Sequence, residues 1–245
     1  MLDGVDRAEY QGIYALCSGG KDSITLAHYC REVIDGLVFI DTTIGVPDTL
    51  AHVKAFAKKI GKPLTVLTPK MSYREMVHKY GFPGPSAHRY AFIFLKWKPI
   101  WAWARQFDKP VLLLSGVRRK ESKRRMANVS KAAPMPDPKF KRMVWYAPLW
   151  DWSNGKVFDY LMLNDLKIAP AHDKIGLSGD CLCGAYSRPG EAELIFKEYP
   201  EVGEQIAEIE RTCPNKRKSW GNQSSMCGAK DQESLEGWMC VDCHK

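Results

Sequence analysis

Residues 18–23 read Ser18-Gly19-Gly20-Lys21-Asp22-Ser23. They follow the apolar run 13–17 and precede the periodic run 24–30, which predicts a turn between a buried strand and a helix. Such a turn surrounds an anion with backbone N–H groups, and paired glycines let the backbone approach it closely. Lys21 adds a positive charge, whereas Asp22 suits a phosphate site only if it binds a backbone N–H or Mg²⁺. The stretch therefore predicts a phosphate site, and the alternative is an ordinary turn with a helix cap.

The composition is that of a folded protein without a membrane segment. The chain has 245 residues, of which 45% are apolar and 26% charged, enough for one core and a smaller appended unit. It opens with no charged-then-apolar leader, and no apolar run approaches the length of a membrane span. We therefore expect a cytoplasmic protein without a membrane partner. Eight cysteines in such a protein favour metal or redox chemistry over structural disulfides.

Positive charge is concentrated in one part of the chain. The net charge is +8, and residues 109–142 hold eleven Lys or Arg against Glu121 and Asp137, a local balance of +9. A basic patch can serve a polyphosphate, a nucleic acid or solubility. The composition leaves all three open.

Apolar runs of strand length alternate with amphipathic segments along the chain. Four such runs occur, at 13–17, 37–40, 64–67 and 111–114. The alternation predicts an α/β fold with a doubly wound, mostly parallel sheet, and we expect five strands in all. Ligands bind beyond the carboxyl ends of the strands in such sheets. Asp41 and Thr42, which follow the second strand, should therefore join the 18–23 loop at one edge.

An aromatic-rich helix is predicted from about residue 90 to residue 107, with Pro99 as a kink or restart. Its rings are interpreted as core or interface packing. The alternative is a platform on which the bases of a nucleic acid stack.

The cysteines near the end of the sequence form two close pairs. Cys181 and Cys183 are a Cys-x-Cys pair, and Cys240 and Cys243 are a Cys-x-x-Cys pair. Together the pairs offer the four thiolates of a single metal centre, which both zinc and a [4Fe–4S] cluster accept. More than fifty residues separate the pairs, so the fold must join them. The alternative is a set of reduced structural or redox cysteines.

The remaining cysteines receive lesser roles. Cys17 and Cys30 fall on the first strand and helix and are predicted to be plain buried residues. Cys213 and Cys227 are substitutes or redox partners for the two pairs. We divide the chain into a nucleotide-binding domain, 1–175, and a Cys-rich, α-helical C-terminal region, 176–245.

The 18–23 loop resembles the pyrophosphatase loop (PP-loop) of the adenine-nucleotide α-hydrolases, which cleave ATP between its α and β phosphates. After the fourth strand, the spacing of Gly116, Arg118, Glu121 and Ser122 resembles a second phosphate-side motif of the phosphoadenylyl-sulfate (PAPS) reductase branch. Further matches lie before this motif, at His88-Arg89, Leu95-Lys96 and Pro99-Ile100, and after it, at 148–152. They occur in the same order as in the family. The resemblance covers most of residues 12–200 and implies a PP-loop, Rossmann-like fold. It also implies that the 18–23 loop, Gly116 and Arg118 bind nucleotide.

Several residues depart from the reductase pattern. Lys21 and Asp22 are present, although reductases of this branch have generally lost both because they bind an already cleaved nucleotide. The chain ends at 241–245 without the glycine of the family's terminal Glu-Cys-Gly-Leu-His, and Ala91 stands where relatives have a cysteine. The resemblance combined with these departures implies ATP and Mg²⁺ as cofactors.

The first hypothesis is therefore a PP-loop enzyme that cleaves ATP to AMP and pyrophosphate, adenylating an acceptor for sulfur transfer. Lys21, Asp22 and Arg118 are its candidate catalytic residues, and Asp22 with Asp41 would hold Mg²⁺. Relatives in sulfur transfer often carry a [4Fe–4S] cluster, so the cysteine site is assigned to a cluster, with Zn²⁺ as the alternative. The acceptor could be a nucleic acid, and a sulfur donor is a further expected partner.

Two other hypotheses remain open. One is a true PAPS or adenylyl-sulfate reductase that forms sulfite with Cys243 or Cys240 as nucleophile and a thioredoxin-like partner. The other is a nucleotide-sensing accessory module that binds nucleic acid, of the kind found in phages and CRISPR loci. A homodimer is compatible with each of them.

Overall fold

The computed structural model describes residue 2 and residues 4–119, 133–214 and 219–221. The strands are β1 Gly12–Leu16, β2 Gly36–Ile40, β3 Leu64–Leu67, β4 Val111–Leu114, β5 Met135–Pro136 and β6 Met143–Tyr146. They form one sheet in the order β3-β2-β1-β4-β6-β5. All neighbouring pairs are parallel except β5 and β6.

The predicted α/β fold with a mostly parallel sheet is confirmed, and the predicted number of five strands is wrong. The sixth strand is β5, a two-residue segment that pairs antiparallel with β6 at the edge of the sheet. Two residues are too few to produce an alternating pattern, so the sequence gives no signal for this strand.

Helices cover both faces of the sheet, as the alternating pattern predicted. They are α1 Lys21–Tyr29, α2 Pro47–Lys59, α3 Tyr73–Tyr80, α4 His88–Phe92, α5 Lys98–Ala104, α6 Asn154–Leu163, α7 Ala171–Ile175, α8 Glu191–Glu198 and α9 Pro200–Thr212. A π-helical turn, Ile93–Trp97, joins α4 to α5. It directly precedes Pro99, whose ring nitrogen cannot donate to the helix, so the irregularity lies just before the predicted kink. Within the described residues, no helix is long and apolar enough to span a bilayer.

Two of the apolar clusters are much larger than the others. One lies between β1, α1, α2 and α6, and Cys17 and Cys30 are 2% and 0% exposed within it. Burial raises the pKa of the Cys30 thiol to about 12, so this side chain stays protonated and behaves as an apolar residue. The prediction that both cysteines are plain buried residues is confirmed.

The second cluster joins distant parts of the sequence. Ile44, Tyr73 and Leu95 pack there against Leu182 and Ile209. The described part of the Cys-rich region therefore shares an apolar core with α3, the π-helical turn and the loop before α2. The division into two domains between residues 175 and 176 stays a prediction. The shared core fixes the position of the segment around Cys181 and Cys183, because Leu182 packs in it.

Candidate nucleotide site and cysteine segment

The 18–23 loop is closed by its own side chains. The Ser23 hydroxyl accepts a hydrogen bond from the Ser18 backbone N–H at 3.2 Å and donates to the Gly20 carbonyl at 3.0 Å. Gly19 has φ +85°, a conformation that glycine adopts without strain, and its carbonyl accepts from the Ala169 N–H at 2.9 Å. The turn between β1 and α1 is therefore fixed before any ligand binds.

A chain of charges lies at the first turn of α1. Lys21 Nζ is 2.6 Å from one Asp22 carboxylate oxygen, and Arg118 Nε is 2.7 Å from the other. The Lys21 and Asp22 side chains are 21% and 14% exposed, whereas that of Arg118 is 1% exposed. Asp22 is thus held between two cations, and Lys21 is the cation closer to solvent.

Arg118 is engaged by the protein through all three guanidinium nitrogens. Besides Asp22, it donates to the Trp152 carbonyl at 3.2 Å and to Asn154 Oδ1 at 2.6 Å. Because those donors are occupied, the guanidinium orients Asp22 in this structure. The expected direct contact between Arg118 and a nucleotide stays a prediction.

The end of β4 lies against the same turn. A Cβ on Gly116 would be 3.1 Å from the Asp22 carbonyl carbon, so a larger residue would press on the Asp22 backbone. Beside it, the Ser115 hydroxyl is buried with no hydrogen-bond partner among the described residues. A buried hydroxyl without a partner at a ligand edge is a candidate ligand contact.

The residues after β2 take different roles. Asp41 is half-buried, and its carboxylate accepts from the Thr43 N–H at 2.9 Å, which closes a turn in which Thr43 has φ +62°. Thr42 is fully buried and donates to the Asp180 carbonyl at 2.7 Å. Thr42 therefore ties the sheet edge to the segment before the cysteines, and its predicted contact with nucleotide stays a prediction.

The segment 178–180, which precedes Cys181, is fixed by a buried network. The Asp180 carboxylate lies 2.7 Å from Lys96 Nζ, and these side chains are 6% and 8% exposed. The Ser178 hydroxyl donates to the other Asp180 oxygen at 2.7 Å, and the Ser178 carbonyl accepts from the Thr49 hydroxyl at 2.6 Å. A buried carboxylate needs such partners, since an uncompensated charge there is strongly unfavourable.

This segment also lies against the phosphate loop. A Cβ placed on Gly20 would be 3.4 Å from the Ser178 Cβ and 3.9 Å from His172 Nε2. The chain continues from Ser178 to Cys181 within three residues. The Cys-x-Cys pair therefore begins next to the candidate nucleotide site.

The backbone of the Cys-x-Cys pair is anchored on both sides. The N–H of Leu182, between the two cysteines, donates to the Ile44 carbonyl at 2.9 Å, and its carbonyl accepts from Trp220 Nε1 at 2.8 Å. Tyr73 donates its hydroxyl to the Cys183 carbonyl at 2.9 Å. Burial raises the pKa of Tyr73 well above its usual range, and the charges of nearby Cys183 and Cys181 raise it further.

The four predicted metal ligands are only partly described. Cys183 is buried and Cys181 half-buried, whereas Cys240 and Cys243 lie outside the described residues, as does Cys227. Within residues 4–119, 133–214 and 219–221, no group of three or more His, Cys, Asp or Glu is placed to hold a metal ion. A four-thiolate centre thus depends on the second pair, and it stays a prediction.

A cavity of about 100 Å³ opens beside the first pair. It is lined by residues 177–188 and Glu191. Cys181 and Cys183 both contribute to its wall, next to the Lys96–Asp180 ion pair. The segment that carries Cys181 and Cys183 therefore lines a cavity whose wall contains no residue of the 18–23 loop.

Sequence reasoning missed four residues of this arrangement. Asn154 orients Arg118, and Ser178, Asp180 and Lys96 form the network before Cys181. In the sequence, Lys96 stands out only as part of a segment that resembles the PAPS reductase branch. The absence of apolar periodicity around Asp180 hides its burial, so the only sequence signal was its closeness to Cys181.

The profile of the phosphoadenosine phosphosulfate reductase domain family matches residues 12–207. The chain belongs to this family. A phosphate complex of PAPS reductase from Candida auris has the same fold, with a TM-score of 0.52 and 20% identity over 69% of this chain and 80% of that one.

Two curated proteins that are similar to this chain come from Methanocaldococcus jannaschii. "Uncharacterized protein MJ0973" is 31% identical over 76% of this chain and 44% of the relative. "Uncharacterized protein MJ0066" is 26% identical over 79% of this chain and 40% of the relative. The chain thus spans less than half the length of these relatives.

Proposed function

We propose that this chain binds ATP at residues 18–23, cleaves it to AMP and pyrophosphate, and adenylates an acceptor that then receives sulfur. The observation that carries this is the adjacency of two sites. Ser178, three residues before Cys181, lies against Gly20 of the phosphate loop, and Thr42 bonds the Asp180 carbonyl at 2.7 Å. An activated acceptor at the sheet edge would therefore be close to a thiol-bearing segment.

The first step forms a bond between an acceptor oxygen and the α-phosphorus. The bond to the bridging oxygen breaks, and pyrophosphate leaves with that oxygen. Negative charge grows on the leaving group, where the N–H groups at the start of α1 and the Lys21 ammonium stabilise it. Arg118 acts as a positioning residue because it fixes Asp22 at 2.7 Å.

The second step transfers sulfur to the acceptor. The terminal sulfur of a donor persulfide attacks the activated carbon, a carbon–sulfur bond forms, and the carbon–oxygen bond to AMP breaks, so AMP leaves with the oxygen and its negative charge. A second thiolate then attacks the inner sulfur of the donor and breaks the sulfur–sulfur bond. The donor becomes a disulfide, and the sulfur stays on the acceptor as a thiolate.

Magnesium fits the donor chemistry at this edge. Asp41 directly follows β2 and Asp22 lies in the first turn of α1, and their carboxylates are the hard oxygen ligands that Mg²⁺ prefers. Lys21 and Arg118 already contact the two Asp22 oxygens, so Mg²⁺ would use the remaining lone pairs of these oxygens. When bound, Mg²⁺ neutralises charge on the phosphates. Lys21, 21% exposed, complements it from the start of α1.

The thiols of Cys181 and Cys183, with those of Cys240 and Cys243, fit a [4Fe–4S] cluster by donor type. Tyr73 and the backbone of Leu182 hold the first pair in place. When bound, a cluster supplies an iron–sulfur surface for sulfur chemistry, whereas Zn²⁺ would be structural. Iron and zinc analysis of anaerobically purified protein distinguishes them. About four irons per chain supports the sulfur-transfer step, and one zinc contradicts it.

Lys21→Ala tests the ATP reaction, with Lys54→Ala on α2 as an exposed, matched control. We expect pyrophosphate release from ATP, in the presence of Mg²⁺ and a mixed tRNA pool or small-molecule acceptors, to fall at least about 100-fold in Lys21→Ala. Lys54→Ala should retain wild-type release. Equal release by both variants, or no release with any acceptor, contradicts the proposed function.

The family match favours one second candidate, a PAPS or adenylyl-sulfate reductase. It predicts sulfite formation from the sulfonucleotide with thioredoxin as reductant, lost in Cys243→Ser. Sulfite formation without any ATP cleavage would favour this candidate, and its complete absence would exclude it.

A further inference from the structure

Five aromatic rings lie in two stacked groups on α3 and on the α4–α5 helix. Tyr80 stacks with Phe94 at 5.3 Å between ring centroids and with Tyr90 at 6.3 Å, and the ring planes differ by 20° and 13°. Trp97 stacks with Trp101 at 6.0 Å, with planes 17° apart. We call Tyr80, Tyr90, Phe94, Trp97 and Trp101 the aromatic ladder.

The rings form two groups. Tyr80, Tyr90 and Phe94 make one and Trp97 and Trp101 make the other, and the π-helical turn Ile93–Trp97 interrupts the helical repeat between them. Phe94 packs on the apolar cluster that contains Leu95, and the two Trp rings pack on the cluster that contains Ile100 and Val111. Tyr80 and Tyr90 are therefore the part of the ladder that faces outward.

Part of the ladder is open to solvent. Tyr80 is 45% exposed and Tyr90 is 57% exposed, while the other three rings are half-buried against the core. Aromatic residues of this size are usually buried, and adjacent exposed rings typically mark an interaction surface.

Cations accompany the rings. Lys98 Nζ lies 4.0 Å from the Phe94 ring centroid, and Arg105 lies 4.5 Å from that of Trp101. From residue 76 to residue 107 the sequence contains five Lys or Arg and no Asp or Glu. Of these, Lys96 is paired with the buried Asp180, whereas Lys98 and Arg105 are exposed beside the rings.

From these observations we infer that the aromatic ladder binds a single-stranded nucleic acid, with bases stacking at Tyr80 and Tyr90 and phosphates pairing with Lys98 and Arg105. Stacking faces together with cations match the two parts of a nucleotide strand. An acidic peptide would use the charges without the rings, and a duplex would hide its base faces. The inference deepens the proposed function, on which it rests for the role of acceptor, by naming that acceptor's class.

Binding is measured by fluorescence anisotropy with fluorescein-labelled oligo(U) and oligo(dT), without ATP. We expect Tyr90→Ala to bind roughly tenfold more weakly. Tyr90→Phe, which keeps the ring, should bind as the wild type does. Phe158→Ala removes a 49% exposed ring on α6 and serves as the matched control that leaves affinity unchanged.

The salt dependence separates the rings from the charges. Lys98→Ala should lower the slope of log affinity against log salt by about 0.7, because one phosphate contact is lost. Tyr90→Ala should leave that slope unchanged. Lys54→Ala, an exposed lysine on α2, should alter neither quantity.

Several outcomes overturn the inference. They are unchanged affinity in Tyr90→Ala, an equal loss in Phe158→Ala, or tighter binding of a duplex or of polyglutamate than of the single strands. Tighter binding of oligo(U) or of oligo(dT) identifies the acceptor as RNA or DNA. Lys21→Ala should bind both strands normally, so loss of pyrophosphate release and loss of strand binding are separate failures.

Discussion

The phosphate-loop edge and the cysteine segment each contain a buried ion pair, but the fold assembles the two pairs differently. Arg118 and Asp22 meet at 2.7 Å because β1 and β4 are parallel neighbours whose carboxyl ends lie side by side. Lys96 and Asp180 meet at 2.7 Å between a helix and a loop, neither of which belongs to the sheet. The first pair follows from strand order, and the second depends on side-chain packing between distant segments.

This difference suggests a division of roles. The phosphate loop combines local bonds, such as that from the Ser18 N–H to the Ser23 hydroxyl, with the bond from the Ala169 N–H to the Gly19 carbonyl. The cysteine segment instead depends on long-range contacts, such as that from Thr49 to the Ser178 carbonyl. Substitutions should therefore affect the two regions unequally.

The largest expected effect is that of Arg118→Met at the loop edge. It removes the buried donor that three acceptors share, of which Asp22 alone keeps another partner among the described residues, Lys21, so we expect the free energy of unfolding to fall by about 4 kcal/mol. Urea unfolding measures it. Arg119→Met, at an exposed neighbour, is the control and should change it by less than about 0.5 kcal/mol. Equal effects of the two would show that the buried network is not stabilising.

Lys96→Met should cost somewhat less, about 3 kcal/mol, because the Ser178 hydroxyl still donates to Asp180. Adding Asp180→Asn removes the uncompensated charge, so the double variant should recover part of the loss. A double variant that is less stable than the sum of the single changes would contradict this account. Both are measured by urea unfolding.

Gly179→Ala tests how closely the segment before Cys181 is packed. A Cβ there would lie 2.6 Å from Val46 Cγ2 and 2.8 Å from Ala171 Cβ, so we expect a loss of about 2 kcal/mol. Gly190→Ala is the matched control, since Gly190 also has positive φ, +79°, but nothing lies within 4 Å. Thermal unfolding should show a larger decrease for Gly179→Ala, and equal decreases would mean that backbone strain alone is responsible.

The smallest expected effect is a pH dependence of the free energy of unfolding, which arises from a histidine on α1 and a histidine on α2. Burial, with Arg31 and Lys59 nearby, lowers the pKa of His28, and burial lowers that of His52. The unfolded chain therefore takes up protons first, and stability should fall as the pH drops below about 6.5. Urea unfolding across this range measures the slope. His28→Gln should reduce it, and an unchanged slope would exclude His28 as a source.

Much of the fold was accessible from the sequence. The strands at 64–67 and 111–114 coincide with β3 and β4. The uninterrupted apolar run at 111–114 is typical of a strand that is buried on both faces, as β4 is, whereas β3 lies at the edge of the sheet and is partly exposed. The antiparallel edge strand β5 was not predicted, since two residues form no pattern. Helix ends differed by a few residues, as for the aromatic-rich helix predicted from about residue 90 to residue 107, which runs from His88 to Ala104.

The candidate site was accessible only in part. The neighbourhood of Gly116 and Asp22 follows from adjacent parallel strands, and the structure contains it. The burial of Thr42 against Asp180 did not follow from the sequence, because a hydroxyl after a strand suits either a ligand or a buried bond. The exposure of Tyr80 and Tyr90 was likewise hidden, since aromatic periodicity alone does not distinguish a core face from an outer one.

The sequence by itself determined the phosphate turn. Gly19, Gly20 and Lys21 lie between an apolar strand and the start of a helix. The backbone geometry of such a short turn depends mainly on the residues within it, so the sequence predicts it. Only the tertiary structure decided that Ser178 and Asp180 bring the Cys181 segment against that turn. Such contacts join residues more than a hundred positions apart, and burial and charge pairing select them among many arrangements that the local pattern permits equally.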